Sequence, residues 1–230
     1  QEVENHLDKI KPDNTELKQQ FVKFVESHQK EFPVSTIYTH LKDYLKQDKY
    51  KGLKLPKKSA FGIDDFINVV SEMVACNFIA NLKAGKTMFN GAKLGVYNIT
   101  DSRTTNSEHP CVDMQLYYSD YFTFKCMTEM YHILCSINES PFVIKDIQDI
   151  RPLAPFLCSL GLGGYLVAYT NEGTSLMWTK RSGNISSGDI WHFSYDETVS
   201  LLLDGAVDND KHLIVDKDNS VHIDTERLLY

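Results

Sequence analysis

Residues 162–200 read LGGYLVAYTNEGTSLMWTKRSGNISSGDIWHFSYDETVS, and their patterning decides how the chain is organised. Leu166, Val167 and Ala168 precede Asn171-Glu172-Gly173, and Leu176, Met177 and Trp178 follow it. Two apolar runs joined by a short turn containing glycine predict an antiparallel hairpin over 162–182, with its turn at 171–173. Beyond it come Lys180-Arg181-Ser182, a Gly/Ser-rich turn, Trp191-His192-Phe193, and then Asp196-Glu197. Lys180 and Arg181 at a strand end suit a pyrophosphate, the arginine by a two-pronged contact and the lysine as a point charge. Alternate strand residues face the same way, so at most one of the two points into a given pocket. Trp191, His192 and Phe193 suit a base-stacking or apolar surface, with His192 able to change charge near neutral pH. An aromatic core strand with His192 turned outward is the plainer alternative.

The block Lys180-Arg181-Ser182, loop, Trp191-His192-Phe193 resembles the opening strands of a Nudix-type domain, and the likeness covers the C-terminal third of the chain. The resemblance implies a mixed α/β module that hydrolyses a nucleoside diphosphate linked to another group, with Mg²⁺ held by glutamates of a following helix. Lys180, Arg181, Trp191 and His192 would then bind the nucleotide. The Gly-to-Glu box has no counterpart: Gly188 leads to Ser194 and Gly205 to Lys211 at the required spacing, and no Arg-Glu-x-x-Glu-Glu occurs. Glu197, nearest the Trp-His-Phe strand, is the candidate catalytic carboxylate. Glu197 and Glu226 are the candidate metal ligands.

The last residues, 224–230, carry a capping Asp or Thr, an early Glu and then apolar side chains, which is a helix-start signature. A helix cut after one turn does not stand alone. The expectation is therefore either a protein that continues past Tyr230, consistent with the absent initiator Met, or a degenerate domain without the metal-binding helix. In both cases the chain as it stands is expected not to hydrolyse nucleotides at a useful rate. The alternative function is a non-catalytic nucleotide-sensing or protein-interaction module.

Composition bounds the rest. A chain of 230 residues with 42% hydrophobic residues, 12 Phe and 12 Tyr buries a real core. No apolar run approaches a membrane span. A formal net charge of −7 argues against broad binding to a nucleic acid backbone. Five cysteines without Cys-x-x-Cys spacing suit buried thiols in a reducing cytoplasm rather than a zinc site.

Helical periodicity predicts helices over 14–32, 34–48, 63–83 and 119–136, and residues 93–100 read as a strand. The third helix carries Phe66, Ile67, Val70, Met73, Val74 and Ile79 on its apolar stripe and stops at Gly85. The change from helical to strand-like patterning places a boundary between 140 and 155. The fold class is thus α+β: a mainly helical module over 1–140, whose aromatic-rich helices offer a surface for a protein partner, and a Nudix-like module over 153–230.

Two charge runs remain. Residues 42–58 hold seven lysines and two aspartates. They read either as an anion or nucleic acid patch, with Tyr44 and Tyr50 available to stack, or as a solvated helix end and connector. Residues 189–226 hold ten Asp or Glu and two Lys. Asp196, Glu197, Asp204, Asp208 and Asp210 offer oxygen ligands to a divalent cation, but their spacing does not fit an EF-hand, and acidic surface loops are the ordinary explanation.

Overall fold

The computed structural model describes residues 15–88, 90–102, 111–181, 183, 190–193, 195–198, 213–215 and 221–223. The protein is α+β, with helices concentrated before residue 140 and strands dominating after 157.

Helix α1 (Thr15–Ser27) buries Leu17, Phe21 and Val25, one residue per turn on one stripe. It ends short of the expected residue 32. The Ser27 hydroxyl donates to the Phe24 carbonyl at 2.7 Å and His28 Nδ1 lies 3.0 Å from the same oxygen, so side chains satisfy a carbonyl of the last turn. A turn then brings Phe32 into the core ahead of Pro33. Helix α2 (Val34–Tyr44) follows that proline and buries Ile37 and Leu41. It also stops early, and the chain folds back through a 3-10 turn (Asp48–Tyr50) that stacks the Tyr50 ring on Tyr44 at 6.0 Å.

Helix α3 (Ile63–Lys83) has the bounds that its periodicity predicts. The Gly62 amide donates to Asp65 Oδ2 at 2.8 Å at its start, and Gly85 turns the chain at φ +77° after its end. Phe66, Ile67, Val70, Met73 and Val74 are buried as expected. Ile79 is not: it stands in solvent with Leu82, where the helix outruns its neighbours.

Strands β1 (Ala92–Ser102) and β2 (Cys111–Asp120) form a long antiparallel hairpin with a bulge between Val96 and Asn98. The patterning of the sequence had left β2 unassigned. Its last residue, Asp120, caps helix α4 (Tyr121–Ser136) by accepting from the Thr123 amide at 2.8 Å. A Cβ on Gly95 would overlap the Tyr117 ring directly across the pair, so this position admits only glycine without rearrangement. Tyr117 in turn donates its hydroxyl to the Pro155 carbonyl. On the other edge of β1, the Val96 amide donates to the Cys158 carbonyl at 3.1 Å and the Leu160 amide to Leu94 at 2.8 Å.

Residues from 142 to 156, around the boundary placed between 140 and 155, contribute to the helical core. Phe142 packs on Phe32 and Phe24, and Phe156 of the short helix α5 (Ala154–Leu157) meets Phe21 edge-on at 5.3 Å. Leu153 and Phe156, placed by sequence at the start of the second module, are buried in one cluster with α1, α2, α3 and α4. Among the described residues that cluster stops at Leu157. No helix of the described residues is long and apolar enough to cross a membrane. Cys76, Cys126, Cys135 and Cys158 are free thiols, Cys126 buried.

The remaining strands are short: β3 (Gly161–Gly164), β4 (Leu166–Thr170), β5 (Gly173–Lys180), β6 (Trp191–Phe193), β7 (Tyr195–Thr198), β8 (Leu213–Val215) and β9 (Val221–Ile223). β4 and β5 are the expected hairpin, and Gly173 takes the left-handed φ of +127° at its turn. Segments 161–170, 173–180 and 191–198 close on one another. The first half of β5 pairs with β4, its second half with β6, and β3 pairs with β7. β8 pairs with β9.

Candidate functional site: an aromatic sheet face

The register of β4, β5 and β6 determines which side chains share a surface. Residues directly opposite in an antiparallel pair point to the same side, and neighbours along a strand point to opposite sides. Val167 lies opposite Leu176, Tyr169 opposite Thr174, Trp178 opposite Phe193 and Lys180 opposite Trp191. One face therefore carries Val167, Tyr169, Leu176, Trp178, Lys180 and Trp191. Tyr165, one alternation before Val167, meets Trp178 edge-on with ring centroids 5.5 Å apart. The other face carries Leu166, Met177, Thr179, Arg181 and His192; the Arg181 amide donates to the Ile190 carbonyl at 3.0 Å, extending the ladder by one step.

Isolated exposed apolar residues are normal, but a contiguous set marks a contact surface. Trp191 is 66% exposed and Tyr169 83%, and Tyr165, Val167, Leu176 and Trp178 are also exposed. Indole and phenol rings beside an ammonium group form a surface suited to a planar ring bearing a negative charge. Rings stack on such faces, and lysine is a compact, mobile phosphate donor.

The sequence-predicted site residues divide between the two faces. Lys180 and Trp191 come together as a cross-strand pair. Arg181 and His192 lie on the opposite face, so Arg181 and Trp191, which the resemblance assigns to one nucleotide site, do not share a face of these strands. Glu197 pairs with Leu162 in the β3–β7 ladder, where only its backbone is described. Glu226, Asp204, Asp208 and Asp210 lie outside the described residues. Among the described residues no three His, Cys, Asp or Glu side chains cluster in a way that could hold a metal ion. The side chains of the candidate Mg²⁺ ligands, Glu197 and Glu226, are not among those described. Trp178, Tyr165 and Tyr169 were not singled out from the sequence as site residues. The signal was there: Tyr165, Val167 and Tyr169 alternate, as do Leu176, Trp178 and Lys180, and a hairpin turn at 171–173 puts both sets on one side.

The lysine-rich stretch also loses half of its expected chemistry. Tyr50 is 1% exposed and donates no free face, because it is stacked on Tyr44 and its hydroxyl accepts from Asn77 Nδ2 at 3.2 Å. Tyr44 is half-buried and donates to Glu129 Oε1 at 3.2 Å. Tyr50 is not available to stack on a base, and Tyr44 has one face against Tyr50.

No family model matches the chain, and no curated protein or solved structure matches it.

Proposed function

We propose that the C-terminal strands form a nucleotide-binding module that binds without turnover, the base stacking on Trp191 and Trp178 and a phosphate meeting Lys180. The cross-strand pairing of Lys180 with Trp191 on an exposed aromatic face carries this reading. The Nudix-like order of Lys180-Arg181-Ser182 and Trp191-His192-Phe193 supports the choice of a nucleoside diphosphate derivative over other planar ligands. Base stacking on an aromatic side chain contributes about 1–3 kcal/mol, so one good stack and one ammonium contact give weak, saturable binding.

The chain has two tryptophans, and both lie on this face. Their fluorescence therefore reports the site directly. Titration with nucleoside diphosphates and nucleoside diphosphate sugars is expected to quench it saturably and to raise the melting temperature. Trp191→Ala is expected to weaken binding by about tenfold. Lys180→Ala weakens it less, and Arg181→Ala, on the reverse face, leaves it unchanged. Absence of saturable quenching in the parent sinks the reading. With Mg²⁺ or Mn²⁺ added, no phosphate or nucleoside monophosphate is expected to be released. Turnover that Glu197→Gln abolishes would restore the hydrolytic alternative.

A second reading, protein contact, is favoured by one observation: Leu166 and Met177 on the reverse face are exposed as well. Concentration-dependent sedimentation that Met177→Ser suppresses, without any nucleotide effect, would select it.

A further inference from the structure

Residues 42–58 run from the last turn of α2 through the Asp48–Tyr50 turn to the 3-10 turn at Lys58–Ala60. All seven lysines, 42, 46, 49, 51, 54, 57 and 58, are exposed. Within the segment the acidic residues are Asp43 and Asp48, Glu129 meets the segment at the Tyr44 hydroxyl, and Asp43 is engaged by Lys46 at 2.6 Å. That contact holds the Asp43 carboxyl below its usual range. The Lys49 ammonium lies over the Tyr50 ring, 4.6 Å from its centroid, in a residue that is exposed as a whole. The concentration of positive charge runs against a chain whose net charge is −7.

The segment is displayed from a fixed base. Leu41 and Tyr50 are fully buried, and Leu45, Leu53 and Leu55 pack partly against the core. Gly52 at φ +108° reverses the chain between Tyr50 and Leu53. With the large apolar side chains packed against the core, nothing here wedges into a lipid surface; Tyr50 is buried, and Tyr44 is half-buried with its hydroxyl bonded to Glu129. What remains is a set of point charges without arginine forks, which suits phosphate oxygens and carries no base readout.

We propose that residues 42–58 form a docking surface for the phosphate backbone of nucleic acid, bound by charge and indifferent to sequence. This surface is independent of the aromatic face. Association with it depends steeply on salt, because each neutralised phosphate releases counterions; four or five contacts give a log–log slope of about −4.

The test is fluorescence anisotropy of a short labelled duplex titrated with the full chain, between about 50 and about 200 mM salt. Three forms are compared: the parent, a triple variant Lys51→Glu, Lys54→Glu, Lys57→Glu, and a charge-matched triple variant Lys23→Glu, Lys30→Glu, Lys83→Glu on other exposed lysines. The parent is expected to bind at low salt, with equal affinity for duplexes of unrelated sequence. The first variant loses binding by tenfold or more and flattens the salt slope, whereas the second changes it by less than threefold. Circular dichroism and melting temperature show that the variants are folded. No binding by the parent at the lowest salt, or equal losses in the two variants, overturns the proposal. So does binding to phosphatidylserine vesicles that exceeds binding to duplex and is lost in the same first variant.

Discussion

At the scale of single residues, Gly95 has a requirement that no other side chain meets. Gly95 faces the Tyr117 ring across the β1–β2 pair, and any Cβ there enters the ring's volume. Gly95→Ala is therefore expected to destabilise the chain by about 1–3 kcal/mol, through displacement of a ring that also ties β2 to the Pro155 carbonyl. A chemical denaturation midpoint that does not move would show that the ring swings aside freely. A Gly95→Ala, Tyr117→Ala double variant should recover part of the loss, because the two changes share one space. Lys180 and Arg181 show the same logic from the other direction. They are adjacent and both cationic, yet the pleat gives them different surfaces, and only Lys180 meets the tryptophans.

At the scale of elements, start and stop signals were legible where the chemistry is local. Asp120 caps α4 through the Thr123 amide and hydroxyl. Asp120→Ala is expected to cost about 1 kcal/mol in the denaturation midpoint, and Asp120→Asn or Asp120→Ser to restore most of it. Equal losses in all three variants would mean that the cap is not what α4 needs. The bounds of α3 and the turn of the β4–β5 hairpin follow equally from nearby residues, Gly85 and Gly173, which take left-handed conformations. β2 was also legible in principle, since Val112, Met114, Leu116 and Tyr118 alternate with less apolar neighbours. Asp113, Gln115 and the Tyr117-Tyr118 pair interrupt a simple apolar–polar alternation.

At the scale of the whole molecule, the helical core draws in residues from 142 to 156. Phe156→Ala is expected to cost about 3–5 kcal/mol and to lower the single unfolding transition of the helical part, since Phe21 and Phe24 each lose a ring contact. Loss confined to local fraying near 156 by hydrogen exchange would contradict its place in the core. The core also sets an alkaline limit. Burial pushes the Cys126 thiol up to about 11, and the Tyr44 and Tyr131 hydroxyls up to about 12, with the Glu129 carboxylate adding to the effect at Tyr44. Each group keeps its proton in the folded chain at a pH where the unfolded chain has lost it. Their contribution is complete below the unfolded values of about 8.5 for Cys and about 10 for Tyr, and it is lost as the pH rises toward the folded values. Denaturation midpoints should be level from neutral pH to about 8.5 and decline above it. Tyr131→Phe should flatten the part of the decline above pH 10, and a midpoint that rises with pH would refute the sign.

The sequence by itself determined the α+β class, the span of α3, a hairpin within 162–182 with its turn at 171–173, and the acidic, thiol-bearing composition. Each of these depends on residues within a few positions of one another, where helix period, strand alternation and turn glycines act. The tertiary structure alone decided that residues 158–160 pair with β1, that Phe142 and Phe156 complete the helical core, and that Tyr44 and Tyr50 stack on each other instead of on a ligand. It also decided which cation shares a face with Trp191. Those outcomes join residues far apart in the chain, and their free energy comes from closing loops and burying apolar surface, which local patterning does not encode.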